Sequence, residues 1–147
     1  MAKKSAAEIS PVMKTLATYI AQAAKKPLPK NVAERTKHHL LDTLAAMVSG
    51  SRLPPGRAAI SYIKTLGGTK QSVVIGSKFV TTAEHAALAN GMLAHADETD
   101  DSHAPSLTHP GCGVVPAALA MAERERATAR NCCVRWRWGT TWAVACR

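Results

Sequence analysis

Four carboxylates and three imidazoles lie within residues 95–109, between two apolar stretches. Acids this close together raise one another's pKa unless cations neutralise them, and a group that titrates near neutrality can transfer protons in catalysis. His109 precedes Pro110, which favours an extended backbone at the histidine and gives a proton donor a stiff mount. This segment is therefore the candidate for chemistry in the chain.

Three interpretations fit the residue types of this segment. It is a solvated loop whose aspartates cap helices, in a small helical interaction protein. Alternatively it is a divalent-metal site, since carboxylates and imidazoles bind such ions, or a metal-free acid–base site. The metal interpretation lacks a ligand pair at helical i,i+4 spacing, and spacing alone does not separate the second interpretation from the third.

Apolar residues recur at helical spacing on both sides of the segment and predict an all-α fold. N-cap or capping-box signals stand at Ser10, at Asn31 with Glu34, and at Thr81 with Glu84. The helices are expected to begin at Pro11, about Asn31, about Gly56, after Thr81 and near Pro116. Residues 96–113 are polar and predict no regular element.

Glycines and small residues refine this prediction. Gly50 is placed to follow the second helix as its left-handed C′ residue, and residues 72–80 predict two very short strands around a turn at Gly76-Ser77. Small side chains permit close approach of neighbouring helices, so the helix ending near His95 is predicted to be central and buried. Its small residues are Ala86, Ala87, Ala89, Gly91 and Ala94.

Composition excludes several classes of function. With 46% hydrophobic and 20% charged residues, the chain has enough apolar side chains for a core and is unlike a disordered polyelectrolyte. No apolar run approaches the roughly 18 residues of a membrane span, and no apolar segment follows the basic start. We expect a cytoplasmic protein without membrane contact. Scattered lysines without interleaved aromatic residues predict no nucleic-acid binding.

Residues 129–147 differ in composition from residues 1–128. They hold four arginines and no acid, which is +4 of the net charge of +9, together with all three tryptophans and three of the four cysteines. No C-x-x-C pair supports a zinc site. We expect residues 129–147 to be the product of a shifted reading frame. The alternative is a basic, Trp-bearing tail for membrane or nucleic acid.

Residues 90–117 resemble the MmgE/PrpD family, and the similarity extends over roughly residues 10–126. The family has a helix with an NG…AHA ending, an acidic loop of the D-x-D-D-T-H type, and an HP segment that leads through V-x-PA into the next helix. The matching residues here are Asn90-Gly91, Ala94-His95-Ala96, Asp97–His103, His109-Pro110-Gly111 and Val114-Val115-Pro116-Ala117.

The resemblance assigns roles to individual residues of the loop. The first loop acid of the family falls on Glu98, where Asp is usual, and the paired acids fall on Asp100 and Asp101. The hydroxyl position, commonly Thr, falls on Ser102, and the catalytic imidazole falls on His109. Glu in place of Asp moves a carboxylate by one methylene, which bears on the substrate more than on the reaction class.

Further expectations follow from the resemblance alone. His103 is expected to bind substrate, and His95 to serve helix packing. Residues 1–128 are expected to be the N-terminal portion of a large helical domain, in a homodimeric parent with no metal or organic cofactor. The parent would dehydrate, decarboxylate or isomerise a small polycarboxylate such as 2-methylcitrate or cis-aconitate. Its basic substrate-binding residues come from a longer chain, so this chain alone is expected to be inactive.

Overall fold

The computed structural model describes residues 9–23, 27 and 29–128. Within these residues the chain is mainly helical, as the sequence predicts, and includes one two-stranded antiparallel sheet. The elements in chain order are α1 (Pro11–Ala23), α2 (Lys30–Gly50), α3 (Pro54–Leu66), β1 (Ser72–Val73), β2 (Val80–Thr81), α4 (Ala83–His95) and α5 (Pro110–Arg124), with a 3-10 turn at Ala104–Ser106 between α4 and α5.

The first two helices begin in different ways. The predicted cap of α1 is confirmed, because Ser10 Oγ accepts a hydrogen bond from the Met13 amide at 3.2 Å. The predicted capping box of α2 is wrong. The helix begins at Lys30 behind Pro29, with no side-chain cap, and Glu34 instead pairs with Lys37 at 2.7 Å. The fixed φ of Pro29 replaces the cap as the local start signal.

Gly50 is the last residue of α2 rather than its left-handed C′ residue. The residue after it, Ser51, has φ −61° and ψ −20°. A Cβ on Gly50 would lie 1.9 Å from the carbonyl oxygen of Leu93. The glycine is therefore required for the crossing of α2 and α4.

The short hairpin is confirmed and is tied to the helices by two side chains. β1 and β2 pair with Ser72 opposite Thr81 and Val73 opposite Val80. The fully buried Asn90 of α4 accepts from the Ile75 amide at 2.9 Å and donates to the Val73 carbonyl at 3.0 Å. Glu123 of α5 accepts from the Val73 amide at 3.0 Å and from the Ser72 hydroxyl.

The N-terminal cap of α4 is displaced by one residue from the prediction. Thr82, not Thr81, accepts from the His85 amide, at 3.3 Å. Thr81 is fully buried and its hydroxyl donates to the Gly67 carbonyl. Thr81 and Thr82 are neighbouring threonines before the same helix, so the sequence alone does not decide which of them caps α4. Thr81 is paired in β2, which leaves Thr82 as the cap.

Helix α5 begins six residues before the predicted start. Pro110 occupies its first turn, where a missing amide hydrogen costs nothing, and Pro116 lies inside the helix. Pro116 has no amide hydrogen to give the carbonyl of Cys112. That carbonyl oxygen lies 3.0 Å from the Cβ position of Gly91, so the glycine permits the close approach of α4 and α5 at this point.

The core forms around α4, which packs against α2, α3 and α5. The predicted central position of α4 is confirmed, since Ala86, Ala89 and Ala94 are fully buried. Other core members include Met47, Ile63, Val74, Leu93 and Val115. No helix in the described residues is long and apolar enough to span a bilayer. Residues 129–147, and with them the predicted frameshift, lie outside the described residues.

Candidate functional site

The side chain of Asp100 lies between two imidazoles. Its Oδ2 is 3.1 Å from Nδ1 of His95, and its Oδ1 is 3.5 Å from Nδ1 of His109. The two rings have centroids 5.2 Å apart and planes tilted by 59°. We call these three residues the His–Asp–His cluster.

Helix ends position the members of the cluster. His95 is the last residue of α4, and His109 stands at the N-cap position of α5, directly before Pro110. Asp100 belongs to the loop that connects the two helices. Because α4 and α5 pack side by side, the loop folds back over their neighbouring ends and brings Asp100 between the histidines.

The buried carboxylate of Asp100 favours positive charge on His95. Its side chain is 0% exposed, whereas the side chains of His95 and His109 are 46% and 38% exposed. The hydrogen bond from His95 to Asp100 is the main cause that raises the pKa of His95 above 6.5, and the charges of Asp100 and Glu98 add to it against partial burial. Asp100 therefore favours the protonated form of His95.

Cys112 lies next to the cluster but remains a thiol. Burial, followed by the hydrogen bond and charge of Asp100, raises the pKa of Cys112 to about 11. Its Sγ donates to the His109 carbonyl at 3.1 Å. A thiol held in this form is a poor nucleophile, so proton transfer by the cluster is the chemistry that this arrangement supports.

Glu98 lies at the rim of the cluster in a strained backbone conformation. Its φ is 58°, in the left-handed region that non-glycine residues rarely adopt. Its Oε1 lies 3.8 Å from Nε2 of His95, and its side chain is 74% exposed. The carboxylate is therefore open to solvent and to any ligand that reaches His95.

Asp101 faces away from its neighbour Asp100 and caps α5. Its Oδ1 accepts the Gly111 amide at 2.7 Å, which satisfies one of the unpaired donors in the first turn of the helix. A Cβ on Gly111 would lie 2.3 Å from this oxygen and 2.9 Å from Thr43 Oγ1. The glycine lets the start of α5 reach both Asp101 and α2.

Asp97 shapes the beginning of the loop. Its Oδ1 accepts from the Thr99 hydroxyl at 2.6 Å and from the Thr99 amide at 3.3 Å. A hydrogen bond with Ser49, the largest cause, and those with Thr99 lower the pKa of Asp97. Asp97 therefore stays ionised and holds the turn against the end of α2.

The other two candidates point to different surroundings. Ser102 is exposed, and within the described part of the chain its hydroxyl makes no hydrogen bond. Nδ1 of His103 contacts Ser106 Oγ at 2.7 Å, and Ser106 Oγ contacts Thr108 Oγ1 at 2.7 Å. A bridge between His103 and Thr108 closes this small loop.

The structure thus brings together two of the sequence-predicted site residues, Asp100 and His109, and places Glu98 beside them. Asp101 has a capping contact, and Ser102 and His103 lie outside the His–Asp–His cluster. His95, which the sequence analysis assigned to packing, belongs to the cluster and is half exposed. Its position five residues before Asp100 in an acidic segment was the signal available in the sequence.

The loop that carries the His–Asp–His cluster contains four acids and neither lysine nor arginine. In residues 9–23, 27 and 29–128, none of Asp97, Glu98, Asp100 and Asp101 forms an ion pair with lysine or arginine; the ion pairs of Glu98 and Asp100 are with histidines. An anionic ligand here would meet two imidazoles and the open rim at Glu98. Neutralising its charge requires further cationic groups.

Comparison with known proteins identifies the family. The model of the MmgE/PrpD N-terminal domain matches residues 14–137, most of the chain. The chain belongs to the MmgE/PrpD family. The match includes the whole loop that carries the His–Asp–His cluster, and it extends nine residues beyond the predicted domain boundary at residue 128.

Several curated relatives of this MmgE/PrpD chain are named for one activity. It is 31% identical over 108 residues to cis-aconitate decarboxylase-like protein oryM of Aspergillus oryzae, covering 74% of this chain and 22% of that one. It is 33% identical over 97 residues to human cis-aconitate decarboxylase, covering 65% and 20%. The cis-aconitate decarboxylase of Aspergillus terreus is 28% identical over 114 residues, covering 78% and 23%.

The chain spans about a fifth of the length of the curated relatives it matches. No solved structure matches the chain significantly.

Proposed function

We propose that this chain carries the acidic and imidazole half of the active site of a lyase that acts on a small polycarboxylate. The observation that carries the proposal is the contact of the buried Asp100 carboxylate with His95 and His109, in a loop that the MmgE/PrpD match covers. The names of the relatives favour a cis-aconitate-like substrate and decarboxylation over dehydration of 2-methylcitrate or isomerisation.

His109 is the proposed proton donor. In decarboxylation, the bond between a carbon and its carboxyl group breaks, carbon dioxide leaves, and the electron pair remains on the substrate. A proton must then reach a substrate carbon, which an imidazolium can supply. Asp100 lies on the Nδ1 side of His109, so it stabilises the imidazolium and leaves Nε2 for the substrate.

Substrate carboxylates require positive partners, and His95 is the proposed one within this chain. Its pKa is raised by Asp100, and its ring is 46% exposed. Ser102 is exposed beside the cluster in sequence and is proposed to donate a hydrogen bond to a substrate carboxylate once a ligand orders the loop. The remaining cations are proposed to come from outside the described residues.

Ligand-dependent stability tests this proposal. A ligand that binds only the folded chain stabilises it, by about 1.4 kcal/mol at a concentration ten times its Kd. We expect cis-aconitate to raise the Tm of the 147-residue chain. Acetate, which carries one carboxylate, is the matched control at equal ionic strength and is expected to have a smaller effect.

Two variants test whether the ligand binds at this site. His109→Gln and Ser102→Ala are expected to abolish most of the cis-aconitate effect, whereas His38→Gln on the exposed surface of α2 keeps it. Absence of stabilisation by cis-aconitate, citrate and 2-methylcitrate alike would contradict the proposal. Equal stabilisation of the His109→Gln variant would contradict it as well, and would favour a structural acidic loop.

A further inference from the structure

The His–Asp–His cluster has the composition and spacing of a metal site. One ligand atom from each of His95, Asp100 and His109 lies within 4.8 Å of the other two. We propose that these three side chains bind a divalent first-row transition-metal ion, with Zn²⁺ as the representative ion.

The distances suit a single ion. Zinc bonds to histidine nitrogen and carboxylate oxygen are about 2.0–2.2 Å long, so ligand atoms of a tetrahedral site are about 3.3 Å apart. One oxygen of Asp100, Oδ1, lies 3.2 Å from Nδ1 of His95 and 3.5 Å from Nδ1 of His109, and the three ligand atoms all lie within 4.8 Å of one another. An ion therefore needs only small rotations of two partly exposed rings.

The three proposed ligands differ in exposure, and the two histidines are open to an ion that arrives from solvent. Asp100 is fixed, with a fully buried carboxylate, while both imidazoles keep 38–46% of their side-chain surface. An ion can enter from the side of the histidines and displace the proton that Nδ1 of His95 shares with Asp100. Three protein ligands leave a fourth position for water or for an oxygen of a ligand.

Glu98 supplies an outer contact for one of the proposed ligands. Histidines that bind metal commonly donate their second ring N–H to a carboxylate, which fixes the ring and its tautomer. Oε1 of Glu98 lies 3.8 Å from Nε2 of His95, on the ring nitrogen that the proposed metal does not use.

The ligand set also selects the class of ion. Two imidazole nitrogens and one carboxylate favour Zn²⁺, Fe²⁺, Co²⁺ or Ni²⁺ over Mg²⁺ and Ca²⁺, which prefer oxygen ligands. Bound metal would occupy a nitrogen of His109 and hold its ring, and so would restrain the proton donor. This inhibitory consequence rests on the proposed function, whereas metal binding itself does not.

Calorimetric titration of the 147-residue chain with Zn²⁺ tests the site. The titration uses a background in which Cys132, Cys133 and Cys146 are replaced by serine, because these thiols could bind zinc independently. We expect one ion per chain. His95→Gln and Asp100→Asn are each expected to weaken binding at least tenfold, and His38→Gln, which removes an exposed histidine of α2, is expected to leave it unchanged.

The visible absorption of bound Co²⁺ gives a second readout. Wild-type chain is expected to show the intense bands of a site with nitrogen ligands and low coordination number, and His95→Gln to lose them. Far-UV circular dichroism of each variant separates loss of a ligand from loss of the fold.

Two results would overturn the metal site. One is the absence of saturable Zn²⁺ binding in the background that lacks Cys132, Cys133 and Cys146, and the other is binding of equal strength in folded His95→Gln. Either result leaves the polycarboxylate proposal intact, because that proposal is tested by the response to cis-aconitate, to which no metal is added. Conversely, a chain that binds Zn²⁺ but no polycarboxylate would retain the metal site and contradict the proposed function.

Discussion

The carboxylate of Asp100 is fully buried and lies 3.1 Å from Nδ1 of His95, a ring that is half exposed. Burial of a carboxylate without lysine or arginine is costly unless a partner carries the compensating charge. The histidine provides that charge when it is protonated. The two residues are therefore coupled, and protonation of His95 contributes to the stability of the loop.

The pH dependence of stability follows from this coupling. The pKa of His95 is raised above 6.5 in the folded chain. The folded state then holds the proton more tightly than the unfolded chain, so the contribution of His95 is complete below about pH 6.5 and is lost as the pH rises through its folded-state pKa. Urea denaturation at a series of pH values is expected to show this decrease.

Titration of the His95 ring by NMR measures the same coupling directly. Asp100→Asn removes the main cause of the raised pKa, so the pKa of His95 is expected to fall in this variant, and the pH-dependent loss of stability should disappear. His38, exposed on α2, serves as the internal reference. A wild-type His95 that titrates at or below 6.5 would contradict the coupling.

Removal of the Asp101 side chain is expected to destabilise the start of α5. Asp101 Oδ1 accepts the Gly111 amide at 2.7 Å, and loss of such a cap costs about 1 kcal/mol. Asp101→Ala should lower the free energy of unfolding by about that amount, and Asp101→Asn by less, since the amide oxygen can still accept.

The matched control for Asp101 is Asp42→Ala, which removes an exposed carboxylate from α2. Its effect on urea denaturation is expected to stay within about 0.5 kcal/mol. Equal destabilisation by the two alanine variants would mean that the cap contributes nothing specific.

Helical periodicity was sufficient to predict the main elements of the fold, and the exceptions have physical causes. The sequence predicts a helix start near Pro116, but Pro116 lies inside α5, and the Cys112 carbonyl four residues earlier lies 3.0 Å from the Cβ position of Gly91 in α4. The sequence predicts that Gly50 follows α2 as its C′ residue, but Gly50 is the last residue of the helix and lies against the Leu93 carbonyl. Both depend on a neighbouring helix, which local sequence does not encode.

The site was predictable in part for the same reason. Residue types indicated a metal site or an acid–base site in residues 95–109 without separating the two from a structural loop, and Asp100 and His109 meet there as a result of the packing of α4 on α5. Whether an acid points inward is decided by the fold of the loop, which turned Asp100 into the cluster and Asp101 toward Gly111. His95 was missed because a histidine at a helix end has no distinguishing periodicity.

Relief of backbone strain at Glu98 is expected to stabilise the chain. Its φ of 58° costs roughly 1 kcal/mol for a residue with a long side chain, and asparagine or glycine tolerates this region better. Glu98→Asn should therefore raise the Tm. Glu98→Gln, which removes the same charge but keeps the strain, should not, and a rise of equal size in both variants would assign the gain to charge.

Gly50 and Gly113 are predicted to respond oppositely to alanine. The Cβ of Gly50→Ala would lie 1.9 Å from the Leu93 carbonyl oxygen, so α2 and α4 must separate, at a cost of about 3 kcal/mol. A Cβ on Gly113 meets no atom within 4 Å, and alanine in this helix is expected to add about 0.5–1 kcal/mol. Thermal unfolding of both variants tests the crossing, which is contradicted if Gly50→Ala is neutral.

If His109 and Asp100 form part of a polycarboxylate site, the imidazole resonances of His109 respond when a polycarboxylate binds. Titration of the chelator-treated chain with cis-aconitate is expected to shift the His109 and His95 signals in a saturable way, with the same Kd, while His38 stays unchanged. Asp100→Asn should weaken binding and so raise that Kd. Saturation without any shift at His109, or shifts spread equally over all histidines, would contradict the account.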